Sequence, residues 1–240
     1  ITFELNYQDD AHDAEKSVNA YNTLKDWGMQ IFLGSVTSTP GVATSVEAQA
    51  DGIFYLTPSA SATDVIGGVA DPITGTVNIE RKSNIFQMCF TDPNQGDASA
   101  QLINAQKLGT KIGVIYDSST DYSTGIWKSF KAEAEKLGLN VVEEAVTSFT
   151  ADSASEMKTQ LTKCKEAGCD LVFLPIYYTP ASTILNQAKN MEYQPQFFGV
   201  DGMDGILTME GFDVSLAENV MLLTPFDLND AETASFADKY

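Results

Sequence analysis

The chain is poor in the residues that bind transition metals or move protons near neutral pH. Its 240 residues include one histidine, His12, and three cysteines, Cys89, Cys164 and Cys169. Three sulfurs at that spacing match no zinc motif, and a single imidazole cannot build a histidine-based metal site. Cationic side chains are scarce too: 14 Lys and Arg face 33 Asp and Glu, giving a formal charge of −19 and a pI near 4.1. Nucleic acid and anionic membrane surfaces repel such a chain, so neither is expected as a partner. No apolar run approaches the roughly 20 residues that cross a bilayer, which argues against direct membrane insertion by this chain. The opening residues Ile1 to Tyr7 alternate like a strand and unlike a signal peptide, so a signal segment is expected to be absent from this chain.

Catalytic signatures are missing as well. There is no Gly-x-Gly-x-x-Gly after a strand, no phosphate loop ending in Gly-Lys-Ser/Thr and no Gly-x-Ser-x-Gly elbow. No catalytic residue, metal or cofactor is therefore expected, and an enzyme is the least favoured class. His12 sits among acids near the start of a helix and reads as a solvated surface residue more readily than as a general base. Asp117, Asp121 and Asp201 fall in predicted loops, but separated carboxylates are common among 33 acids. Cys164 and Cys169 flank Gly168, where a helix ends, so their side chains meet either as two small buried hydrophobes or, in an oxidising compartment, as a disulfide.

What is present is regular alternation. Hydrophobic residues make up 43% of the chain, enough for one large domain or two lobes. Asp9, Asp10 and Asp13 offer caps for a helix whose Ala14, Val18, Tyr21, Leu24 and Trp27 share one face before Gly28 stops it. Ile31-Phe32-Leu33 reads as a buried strand, residues about 40–50 as a helix and Ile53–Thr57 as a strand. An irregular stretch with Gly67-Gly68, Asp71-Pro72 and Gly75 follows, then a strand over Asn84–Phe90. Thr91-Asp92-Pro93-Asn94-Gln95-Gly96 looks like a boundary, after which the pattern restarts. Helices are predicted from Ala98 to Leu108, Ile126 to Leu137 and over residues about 153–167. Strands are predicted at Lys111–Tyr116, Leu139–Glu143, Asp170–Leu174, Phe197–Val200 and Asn219–Thr224, with a polar loop at Asp117–Thr124 and helices after Thr179-Pro180 and over Ala231–Tyr240. Repeated βα units imply parallel sheets covered on both faces.

The most suggestive stretch is Leu33-Gly34-Ser35-Val36-Thr37-Ser38-Thr39-Pro40-Gly41. A strand leads into small hydroxyl residues and then a proline suited to the first helical position. Unpaired N–H groups at a helix start, with its dipole and two or three hydroxyls, can hold a carboxylate without a cationic side chain. Ordinary helix capping by Ser or Thr is the competing account. A second such loop, Thr57-Pro58-Ser59-Ala60-Ser61, follows the neighbouring strand, and ligands of open α/β sheets bind at the carboxyl ends of strands.

Taken together, Tyr7-Gln8-Asp9-Asp10, Gly34–Ser38, Leu56–Ser61, Thr91–Gly96, Tyr116-Asp117 with Tyr122, and Gly199-Val200-Asp201-Gly202 resemble the branched-chain amino-acid (Leu/Ile/Val) substrate-binding proteins of ABC importers, of the type I periplasmic-binding-protein fold. The resemblance runs in order along the whole chain. It implies two Rossmann-like lobes with parallel sheets joined by a hinge, truncated at both ends: lobe 1 over 1–92 lacking its first strand, lobe 2 over 93–223, and a return segment over 224–240. It places the carboxylate-binding loop on Thr37 and Ser38 and the second ligand loop on Ser59, Ala60 and Ser61. Tyr122 matches the aromatic that covers the ligand, Tyr178 the tyrosine of a facing loop beside Tyr177, and Asp201 the acid that pairs with the α-ammonium.

There are departures from the family pattern. Gly67–Lys82 is longer than usual, Gln87 stands where an arginine is common, and Ala11 and Thr37 occupy the places of the family's disulfide. The implied function is capture of a free L-amino acid, branched-chain or otherwise aliphatic, by hinge closure. Crossovers near Thr91–Gly96 and Leu223–Asp227 would serve as the hinge, and the ligand would pass to a membrane ABC permease outside the cytoplasm. The alternatives are a ligand-binding sensor domain of a receptor and a binder of amides, urea or aromatic acids.

Overall fold

The computed structural model describes residues 2–225 and 230–239. Its elements in chain order are α1 (Ala14–Trp27), β1 (Ile31–Leu33), α2 (Ser38–Asp51), β2 (Phe54–Thr57), β3 (Ile85–Gln87), α3 (Asp92–Gln106), β4 (Ile112–Asp117) and α4 (Asp121–Leu137). They continue with β5 (Val141–Phe149), α5 (Lys158–Glu166), β6 (Leu171–Leu174), α6 (Tyr178–Asn190), β7 (Gln196–Gly199), β8 (Val220–Leu222) and α7 (Ala234–Ala237). The chain divides into two compact units, residues 1–100 with 118–136, and residues 101–117 with 137–240.

The first unit holds a parallel three-stranded sheet in the order β1-β2-β3, with Phe32 opposite Tyr55 and Tyr55 opposite Ile85. One face carries Tyr21, Ala48, Tyr55, Val65 and Ile85 in a closed core. Asp13 caps α1 by accepting from the Lys16 N–H at 2.8 Å, and Gly28, with φ of 108°, ends it. α1 is tied to α2 by Asp51, which accepts from Tyr21 Oη at 3.0 Å and Lys25 Nζ at 2.6 Å. The long segment after residue 66 is fastened by Lys82, whose buried ammonium donates to Ser45 Oγ (2.7 Å), Asp64 O (2.9 Å) and Val65 O (3.2 Å).

The second unit holds a parallel five-stranded sheet in the order β5-β4-β6-β7-β8. All four β6 residues are buried, as the unbroken apolar run Leu171–Leu174 requires of a central strand. α5 ends in the anticipated left-handed cap. Cys169 N–H donates to Cys164 O and Gly168 N–H to Lys165 O, each at 3.0 Å, with Gly168 at φ 70°. Cys164 and Cys169 are both buried and unpaired, the first of the two readings. Burial pushes the Cys164 thiol up to about 12. Both sulfurs rest on Gly113 of β4, where a Cβ would stand 2.8 Å and 3.2 Å from them. Asp170 pins the neighbouring strands by accepting from the Thr110 and Lys111 amides, both at 2.8 Å, and from Thr110 Oγ1 at 2.6 Å.

Several expectations are corrected. Residues 2–10 form no strand, and Phe3, Leu5 and Tyr7 are all exposed, because alternation alone makes no strand without a partner edge. β1 is a strand but not a buried one: only Phe32 turns inward, while Leu33 is 68% exposed. Asp92 to Gly96, read as an irregular Pro- and Gly-rich passage, are helical and open α3. Pro93 is tolerated in a first helical turn, and Gly96 lies where a Cβ would collide with the backbone of Ile126 and Phe130. α4 begins at Asp121, so Asp121 to Thr124 are helical, and α5 begins only at Lys158. Of the Leu223–Asp227 crossover, Phe226 and Asp227 lie outside the described residues, as does Tyr240 at the end of the predicted last helix, of which Ala234–Ala237 is observed.

Candidate functional site

In the first unit the two hydroxyl loops leave the carboxyl ends of adjacent strands and are stitched to each other. Gly34 N–H donates to Leu56 O (3.0 Å) and Thr57 Oγ1 to Ser35 O (2.8 Å). Ser59 Oγ donates to Val36 O (2.7 Å), and Ala62 N–H to Ser38 Oγ (3.1 Å). Thr57 Oγ1 also accepts the Ala60 N–H at 2.9 Å, fixing the turn through Ser59 and Ala60. Behind the loops the buried Tyr55 hydroxyl accepts from Ser35 N–H (2.9 Å) and donates to Gly41 O (3.3 Å). Burial raises the pKa of this phenol, so it stays neutral. Gly41 permits the approach of α2, since a Cβ there would lie 2.9 Å from that of Ala60.

The start of α2 departs from the capping account. The helix begins at Ser38, which makes Thr37 its N-cap and places Pro40 third, not first. Thr37 makes no capping bond. Its hydroxyl meets His12 Nδ1 at 2.7 Å instead. Ser38 is buried and accepts from Ala62, leaving its own O–H hydrogen to donate elsewhere. Thr39 Oγ1 is buried with no hydrogen-bond partner among the described residues. A helix start with an uncommitted buried hydroxyl and no side-chain cap is suited to an external anion. Thr39 was missed as an individual position, although it stands in the Ser35-Val36-Thr37-Ser38-Thr39 run that drew notice to the loop.

Ser61 is buried, and its carbonyl accepts the Asp92 N–H at 3.0 Å. Tyr122 lies in the first turn of α4, 2% exposed, with its hydroxyl donating to Gln95 Oε1 at 3.4 Å.

The second unit carries Asp117, Tyr177, Tyr178 and Asp201 at the carboxyl ends of three strands, β4, β6 and β7. Its strand order reverses between β4 and β6, the switch point at which open α/β sheets bind ligands. Tyr178 opens α6 and is 42% exposed, while Tyr177 is half-buried. Asp201 follows β7 in a short 3-10 turn; burial, then the charge of Asp204, raises its pKa, so its ionised form gains from a positive neighbour. Among the described residues no group of three acidic, histidine or cysteine side chains is placed to hold a metal, and no helix is long and apolar enough to cross a membrane.

Hydroxyl loops and strand-end acids on parallel α/β sheets define a ligand-binding fold, and the sequence profile described as periplasmic binding protein matches residues 1–240. The chain belongs to that family. Among curated relatives, it is 25% identical over 200 residues to Leu/Ile/Val-binding protein homolog 3 of Brucella melitensis, covering 83% of this chain and 50% of that protein. It is 22% identical over 218 residues to the Leu/Ile/Val/Thr-binding protein of Salmonella typhimurium, covering 90% and 55%. The chain thus spans about half the length of these relatives. Among solved structures, the leucine binding protein LivK from Thermotoga maritima superposes with a TM-score of 0.82 at 20% identity, over 97% of this chain and 62% of that one. LivJ from Streptococcus pneumoniae, in complex with isoleucine, gives 0.79 at 23% identity, over 98% and 63%. At these identities the superpositions show the fold, α/β with parallel sheets as the sequence implied.

Proposed function

We propose that this chain is part of an extracytoplasmic solute-binding protein that captures a small L-amino acid, branched-chain or otherwise aliphatic, for import by a membrane ABC permease. The observation that carries this reading is the start of α2, where Thr37 leaves the cap open and the buried hydroxyls of Ser38 and Thr39 face an unfilled role. Curated relatives of the chain are named for binding leucine, isoleucine and valine. In this reading Thr37, Ser38, Ser59, Ala60 and Ser61 take the α-carboxylate end. Asp201 takes the α-ammonium, and Tyr122 and Tyr178 cover the ligand. The lobes run over 1–92 and 93–223, with 224–240 returning to the first, and ligand contacts made to both on hinge closure favour the closed state.

Calorimetry against a panel of L-amino acids is the test. Binding of leucine, isoleucine or valine in the micromolar range is expected, and Asp201→Ala is expected to weaken it by about 2 kcal/mol, roughly 30-fold, by leaving an ammonium unpaired. No heat from any member of the panel, or an unchanged affinity in the variant, would overturn the reading.

A further inference from the structure

The long segment between β2 and β3 is a closed loop on a narrow neck. Lys82 N–H donates to Ile66 O at 2.9 Å and Gly68 N–H to Ile79 O at 2.7 Å. Gly67, at φ 67°, lies where a Cβ would run into Glu80 O, so the two ends of the loop meet because that residue is glycine. The tip is tied to itself. Asp71 Oδ1 accepts from the Ile73 and Thr74 amides at 3.0 Å and 2.9 Å, and Asp71 N–H donates to Thr76 O at 2.8 Å. Compact loops whose ends adjoin in this way behave as units.

The tip is docked on α4. Lys128 Nζ donates to Asp71 Oδ2 at 3.3 Å, with the Asp71 side chain 13% exposed and that of Lys128 50%. Since the amides hold the other carboxylate oxygen, Asp71 is oriented before the ion pair forms. Its pKa lies below the ordinary value, chiefly through the Thr74 amide and then the Ile73 amide, which keeps it ionised near neutral pH. Between loop and helix lies a cavity of about 120 Å³, bordered by Val69, Ala70 and Pro72 on the loop and by Thr124 and Gly125 on the helix. The cavity continues the site already described, because Asp92 on its wall donates its amide to Ser61 O.

The connectivity of α4 gives this contact its meaning. α4 joins β4 to β5, which are neighbours in the second sheet, yet residues 118–136 pack as one compact unit with residues 1–100. A helix carried by one sheet and held by a loop carried by the other is strained by any hinge motion that parts the two. We propose that the loop over residues 67–82 is a strap for the closed state: Asp71 at its tip grips Lys128 and so holds α4, with Tyr122 in its first turn, over the ligand. The proposal rests on the hinge reading above, in which Asp71 and Lys128 belong to different lobes. An ion pair this exposed shifts such an equilibrium by up to about fivefold, which slows ligand release without creating the site.

Stopped-flow kinetics with leucine, isoleucine or valine reads the strap as an off-rate. Lys128→Ala is expected to speed release about threefold with the on-rate unchanged, and Lys128→Glu about tenfold, because two carboxylates then face each other. Lys128→Arg is expected to restore the wild-type rate, and replacing residues 69–78 by Gly-Gly to speed release at least as much as Lys128→Ala. Circular dichroism melting shows whether the shortened chain folds; if it does not, the Lys128 variants carry the decision. Small-angle X-ray scattering of the ligand-free proteins adds a readout that needs no amino acid, with a larger radius of gyration expected for Lys128→Glu than for wild type. Unchanged off-rates in the folded variants overturn the strap and leave the amino-acid reading standing. If no amino acid binds, that reading falls, and an unchanged radius in Lys128→Glu overturns the strap as well.

Discussion

The two sheets are built from the same βα units yet differ in how they are buried. In the second unit β6 is enclosed on every side, and Phe173 and Phe198 meet at 6.1 Å inside the core. In the first unit Ile31, Leu33, Phe54, Phe86 and Met88 lie exposed, with Leu33 at 68% and Met88 at 74%. The register puts Ile31 beside Phe54, and the rings of Phe54 and Phe86 stack at 5.2 Å, so these side chains share one face of the sheet. Parallel strands alternate their side chains between faces, and the inward partners Phe32, Tyr55 and Ile85 occupy the closed side. The lesson is that apolar sequence specifies a strand's capacity for burial, while a second layer decides whether burial occurs.

The acids repeat the contrast. Asp170, in the second unit, is surrounded by donors: burial acts to raise its pKa, but bonds from Thr110 and Lys111 outweigh that and lower it. Asp92, in the first, has burial without a hydrogen-bond donor among the described residues, and its pKa rises.

These differences can be broken or sharpened by substitution. The largest effect is expected at Phe173: Phe173→Ala should cost about 3–5 kcal/mol in chemical denaturation, through lost burial and an unfilled cavity. Its counterpart Phe86→Ala, 40% exposed and supported mainly by stacking on Phe54, should cost about 1 kcal/mol. Equal costs would mean that the two sheets are equally covered in solution.

Asp170→Ala should destabilise by about 2 kcal/mol near neutral pH, since charge-assisted bonds from two amides and a hydroxyl are lost. Because the folded pKa is depressed, this contribution is present above the ordinary value of 3.8 and is lost as pH falls through the lowered folded value. The difference between wild type and variant should therefore shrink in acid.

Asp92→Asn should behave in the opposite way. With the folded pKa raised, the wild type pays nothing for ionisation below 3.8 and progressively more as pH rises above it, because only the unfolded chain ionises freely. The variant's melting temperature, relative to wild type, should rise with pH from about 4 upward. A flat difference would refute the picture of an unserved acid. The smallest effect is expected for Leu33→Lys, which should change stability by no more than about 0.5 kcal/mol while reducing self-association in light scattering.

Much of this was legible residue by residue. Gly28 and Gly168 ended their helices because a left-handed residue closes the last turn, and Leu171–Leu174 announced a central strand by its unbroken apolar run. The hydroxyl loops were found from composition and position alone. The start of α3 was not, because Pro93 and Gly96 read as breakers until the backbone of Ile126 and Phe130 is seen to require the glycine. Tyr122 was assigned to a loop and lies in a buried first turn, since Asp121-Tyr122-Ser123-Thr124 carries no apolar period of its own.

Local sequence determined the order of strands and helices, the helix ends and the small hydroxyl residues after β1 and β2, because caps, turns and side-chain periodicity act within a few residues. Tertiary structure decided which face of the first sheet closed and that His12 would take the Thr37 hydroxyl. It also left Asp92 buried beside Gly125 without a hydrogen-bond donor among the described residues. Those outcomes depend on groups brought together from distant parts of the chain, and no local pattern records them.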